Sequence, residues 1–183
     1  MISVCLVERT AMVPPDVTDP ASMLLDADAT TRNHLRGLRA GTGRAADRSG
    51  RLAMQAAIDW LEGPAQAQRC LLEDRVLPAL VEAMAGSDAV CLRDLAERLA
   101  NERSQLDRCW RAKMRPQLAT GASGAAELQA WISAFEGHLR RIDDELLPMI
   151  PRLLDDEALD ALGRACRVSL CEVHPSAPTG ADT

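Results

Sequence analysis

Residues 136–159 read EGHLRRIDDELLPMIPRLLDDEAL and carry an imidazole, His138, with a carboxylate, Asp143, five positions on. Leu128, Ile132, Phe135, Leu139, Ile142 and Leu146 alternate at steps of four and three, the spacing of a helical seam. At about 100° per residue, His138 falls roughly 70° to one side of that seam and Asp143 roughly 70° to the other. The pair straddles the apolar stripe, so both groups could reach inward to one point, or both could lie at the boundary and face solvent. Arg69 and Glu73 form a second pair, one helical turn apart, with Arg69 nearer the apolar centre of its segment. Glu102 and Arg103 stand side by side in LANERSQLDRCW, and His34 in TTRNHLRGL.

These residues need helices to position them. Segments of helical character run from about residue 21 to 39, 46 to 84, 89 to 118 and 125 to 150, with a short fifth piece around 156 to 167. Glycines in AGTG end the first, and Gly63-Pro64 should kink or break the second, because proline removes a backbone donor and crowds the preceding turn. GSD and TGASG separate the remaining segments. Short loops between amphipathic helices predict an all-α, antiparallel four-helix bundle over residues 21–168, with an irregular segment at 1–20 and a flexible tail at 169–183.

Composition agrees with helices. A chain of 183 residues is about one domain. Nearly half the residues are apolar, yet there is no Tyr and only one Phe, so the core is built from Leu, Ala, Val, Ile and Met, which favours helix over sheet. A net charge of −6 without a basic run argues against nucleic acid and anionic membrane as partners. No run of apolar residues is long enough to span a bilayer, and the start MISVCLVERTAMVPP lacks a signal-peptide pattern, so a cytoplasmic location is expected. Cys5, Cys70, Cys91, Cys109, Cys166 and Cys171 form no CxxC pair and are expected to be reduced and mostly buried. Trp60, Trp110, Trp131 and Phe135 are expected in the core.

HLRRIDDELLPMI, preceded by AFEG, resembles the last helix of the hemerythrin-like, or HHE cation-binding, family, which ends with a histidine, an acidic residue and a Leu-Phe-Pro-like tripeptide, here Leu146-Leu147-Pro148. LLEDRVLPAL shows the same ending with Val76-Leu77-Pro78, TTRNHLRGL resembles the first helix, and LANERSQLDRCW the third. The likeness covers residues 26–167. It implies a metal site in the bundle core, with His34, Glu73, His138 and Asp143 at ligand positions. Arg69 stands where the family has a histidine before the glutamate, and Leu99 and Arg103 stand where the third helix would supply histidines. Arginine does not give up its proton to bind a metal, so a complete di-iron centre is not expected.

Three functions follow from this likeness. One is a non-haem metal oxidase or oxygenase, in which His34, Glu73, His138 and Asp143, helped by Glu102, hold one divalent ion, iron ahead of manganese or zinc. Another is a metal-free enzyme with His34 or His138 as general base and Arg69 and Arg103 holding an anionic small-molecule substrate. The third is a non-catalytic binding or sensory module that has kept the fold.

Overall fold

The computed structural model describes residues 19–44, 46–84, 88–120 and 124–171, and among these the chain is helical with no strand. Helix α1 spans Pro20–Thr42. Asp19 caps it by accepting from the amides of Ala21 and Ser22, and Pro20 occupies the first position, where a missing N–H costs nothing. The helix runs through Gly41 because that glycine serves packing: a Cβ there would lie 2.6 Å from Met54 Cγ and 2.8 Å from the Gly50 carbonyl oxygen. Helix α2, Arg48–Glu62, folds back on α1 through this close approach. It ends at Gly63 (φ −118°, ψ −91°), and Pro64 starts α3, residues 64–83, so the expected break is present.

Helices α4 (residues 88–120) and α5 (residues 125–153) complete the main layer, and α6 (Asp156–Cys171) lies on α1 and α3. Residues 169–171, expected in the tail, are the last turn of α6. Helix α1 also packs on α5, α4 on α5, and the far end of α3 on α4. No helix is long and apolar enough to cross a membrane among the described residues.

Three single wide turns of π-helix interrupt these helices at Leu72–Val76, Trp110–Met114 and Ile142–Leu146. Each closes with an i→i−5 bond, from Leu77, Arg115 and Leu147, and each of these donors is followed directly by a proline, Pro78, Pro116 or Pro148. A proline ring crowds the carbonyl four residues back and has no N–H to offer it; the wider turn relieves that clash without ending the helix.

The apolar side chains form two cores. Leu24, Leu72, Val76, Leu95, Leu99 and Ile142 belong to one, and Leu35, Ala65, Leu106, Trp131, Phe135 and Leu139 to the other. The second holds the aromatic residues, with Trp110 on Trp131 (4.9 Å) and Trp131 edge-on to Phe135 (5.3 Å). Of the cysteines, Cys166 is buried, Cys109 is half-buried, and Cys70 and Cys91 are exposed, against expectation. Cys70 illustrates the reason: Ala65, Gln68, Leu71 and Leu72 already fill the inward face of α3. Cys5 and the side chain of Cys171 lie outside the described residues, as do the expected irregular stretch 1–18 and tail 172–183.

At Gly50 a Cβ would sit 2.1 Å from the Arg44 carbonyl oxygen, a backbone atom that cannot move aside without opening the α1–α2 turn. Gly50→Ala is therefore expected to destabilise the fold by about 1–3 kcal/mol. Chemical denaturation of the two proteins would measure it, and an unchanged midpoint would contradict this packing.

Candidate functional site

Between the two apolar cores, the seam of each of four helices is broken by polar residues at one level: Asp28 and Thr31 on α1, Gln68 and Arg69 on α3, Arg103 and Asp107 on α4, and His138 on α5. All except Arg69 are buried. Together with Glu73, Ala100 and apolar neighbours, all of these except Asp107 line a cavity of about 30 Å³, room for two or three water molecules.

The centre of this layer is a shared carboxylate. Asp107 accepts from Arg103 Nε at 3.0 Å through Oδ1 and from Arg69 Nη1 through Oδ2. Arg69 uses Nε for Glu73 Oε1 at 2.8 Å, and the Arg103 guanidinium lies 4.8 Å from the centroid of Phe135. Burial pulls the Arg103 pKa down while Asp107 opposes it; Arg69 is pushed up, first by its hydrogen bond to Glu73. Arg69 and Arg103 thus meet on one carboxylate from two helices.

His138 is buried and pairs through Nδ1 with Glu102 Oε2 at 3.2 Å, while Arg141 holds the same glutamate from outside. Burial lowers its pKa, the Glu102 bond partly opposing this, so the ring is neutral at neutral pH. A neutral ring that donates from Nδ1 to a carboxylate carries its lone pair on Nε2.

On α1, Asp28 is fully buried and its Oδ1 accepts from Gln68 Nε2 at 2.7 Å. Asp28 Oδ2 and Asp143 Oδ1 are both buried without a partner, while Arg32 binds Asp143 through Oδ2. A proton on Asp28 donated to Asp143 satisfies both oxygens. Burial first, then the hydrogen bond and the charge of Asp143, push the Asp28 pKa up to about 8.

Of the residues singled out from the sequence, Arg69, Glu73, Arg103 and His138 line the cavity. Asp143 stands behind Asp28 on an Arg32 ion pair. His34 lies one turn beyond Thr31 and stacks on Trp60, 4.6 Å between ring centres and 10° from parallel; Trp60 donates to Thr31 at 3.0 Å. Glu73, His138 and Asp143 each face a different partner, and among the described residues no three His, Cys, Asp or Glu side chains gather closely enough to hold a metal ion. Among the described residues these donors thus do not converge on one point, and guanidinium charge occupies the middle of the layer.

Sequence reasoning missed Asp28, Gln68 and Asp107. A signal for Asp28 exists: Leu24, Asp28, Thr31, Leu35 and Leu38 are all buried and follow steps of four and three, so a carboxylate sits in the seam itself.

Two predictions test this electrostatic account. Asp107→Leu leaves two guanidinia, one of them buried, without their shared counter-charge and is expected to cost about 3–5 kcal/mol; Arg69→Ala, which leaves Asp107 paired with Arg103, should cost clearly less. Equal losses in urea unfolding would contradict the shared pair. A carboxyl whose folded pKa is raised stabilises fully below its unfolded value near 3.9, and that contribution is lost as pH rises towards 8. Asp28→Asn should therefore gain on the parent between about pH 4 and 8, by at most roughly 1.4 kcal/mol per pH unit. Parallel stability curves would mean that Asp28 is ionised in the fold. His138 acts in the other direction: its lowered pKa favours the fold above about pH 6.5, and that contribution is lost as pH falls through the folded value.

Comparison with known proteins gives no match: no family model, no curated protein and no solved structure corresponds significantly to this chain.

Proposed function

We propose that the chain is a hemerythrin-like four-helix bundle that works without metal, binding a small molecule in its central cavity and offering it a proton donor and a proton acceptor. The observation that carries this reading is the Arg69–Asp107–Arg103 network, which supplies at the middle of the polar layer the positive charge that a metal would otherwise provide. In this reading Asp28 is the general acid, held protonated near neutrality and positioned by Gln68 and by Asp143 with its Arg32. His138, neutral and oriented by Glu102, is the general base. A raised carboxyl and a lowered imidazole lining one cavity are a pair of groups poised for proton transfer at neutral pH. His34 supports the Trp60–Thr31 wall in place of the basic role considered above.

A second reading, a non-catalytic ligand-binding module, draws on the small volume, since only a ligand of a few heavy atoms enters unless Arg69, a quarter exposed, swings aside. Metal chemistry is the alternative that experiment separates most cleanly. Protein purified with neither chelator nor added metal is expected to contain only substoichiometric metal by elemental analysis and to keep its unfolding temperature in chelator. One or two stoichiometric ions, with a fall in that temperature on chelation, would restore the non-haem metal oxidase.

A further inference from the structure

The central network gives its most buried cation, Arg103, only one carboxylate, which it shares with Arg69. Two guanidinia share Asp107, and the remaining carboxylate, Glu73, serves Arg69 from a third-exposed position. Arg103 is more than nine-tenths buried, lines the cavity, and reaches Asp107 through Nε, with no second acceptor residue among the described residues. Its planar fork matches two oxygens of an oxyanion in a way that a point charge does not. His138, in the lining of the same cavity, uses Nδ1 for Glu102 and has no described partner at Nε2, whose lone pair accepts a proton or a hydroxyl. The space between them, about 30 Å³, admits a ligand of roughly three or four heavy atoms in place of two or three waters.

We propose that the cavity binds a small planar oxyanion that also carries a hydroxyl, hydrogen carbonate being the simplest, with its charged oxygens on Arg103 and its O–H donated to His138 Nε2. This rests on the metal-free reading of the same site. The anion gives the Arg103 fork a second acceptor and gives His138 Nε2 a donor.

The test uses the full chain, verified by elemental analysis, at pH 7, where Asp28 keeps its proton, and at constant ionic strength, titrated separately with sodium hydrogen carbonate, nitrate and chloride while calorimetry and backbone amide resonances are followed. Hydrogen carbonate is expected to saturate, to shift the amides of Arg103 and His138, and to bind about tenfold or more tightly than nitrate, which has the shape and charge but no hydroxyl. Chloride should be inert. Arg103→Lys keeps the charge without the fork and should weaken binding about tenfold or more. His138→Asn keeps the Nδ1-side donor and loses Nε2, and should bring hydrogen carbonate down to the nitrate affinity. Should either variant fail to fold, the three anions on the unmodified chain decide. Equal binding of the three, or no saturation by hydrogen carbonate in protein free of metal, overturns the anion site and leaves the metal-free reading standing; stoichiometric metal overturns that reading itself.

Discussion

A buried carboxylate held by two arginines from two helices is the constraint on which the rest of this structure turns. Taking Asp107 and Arg103 out of water costs several kcal/mol per ion unless each is paired in good geometry. Arg69, only a quarter exposed, must therefore cross from α3 to α4, which fixes the rotation of both helices and the level at which they meet. With that level set, the apolar residues on either side pack into two separate cores, both rich in leucine, of which one also holds the tryptophans and the phenylalanine. The polar layer costs hydrophobic contact, and in return fixes one arrangement of helices whose seams otherwise resemble one another.

The electrostatics of the two walls follow from how each group is partnered. Glu102 is shared between His138 and Arg141, so it orients the imidazole without charging it, and burial wins. Asp28 has only a neutral amide on one oxygen and another carboxylate beside the other, so it retains its proton. Arg32 binds Asp143 through its other oxygen. A protonated acid and a neutral base can thus coexist in the lining of one small cavity, which two exposed groups of the same kinds would not do at neutral pH.

Local backbone chemistry cooperates with this layout. The wide turns before Pro78 and Pro148 each begin within a few residues of the polar layer, just after Arg69 and His138, and each adds one residue to a turn. That extra residue shifts the phase of the seam, so that Leu146 and Leu147 are both buried although they are adjacent in sequence. The proline explains the turn, and the turn explains how the apolar face continues beyond the site.

The helices, the break at Gly63-Pro64 and the place of Arg69 near the apolar centre of its helix were legible in the chain, because apolar spacing and proline act over a few residues and need no partner; His138 stood at the edge of its stripe, and only the packed helices bury it. Asp28 could have been read the same way, as a carboxylate inside a seam of apolar residues. Whether His138 and Asp143 reached one point was undecidable from a single helix; the structure gives them different partners, Glu102 and Arg32, which lie 36 and 111 residues away. Asp107 carried no signal of its own, since an acidic residue one turn after an arginine is usual on any solvated helix face. Only the approach of α3, bringing Arg69 to that face, made it the buried centre of the molecule, because a charge is buried where its partners converge and that convergence is a property of the packed helices.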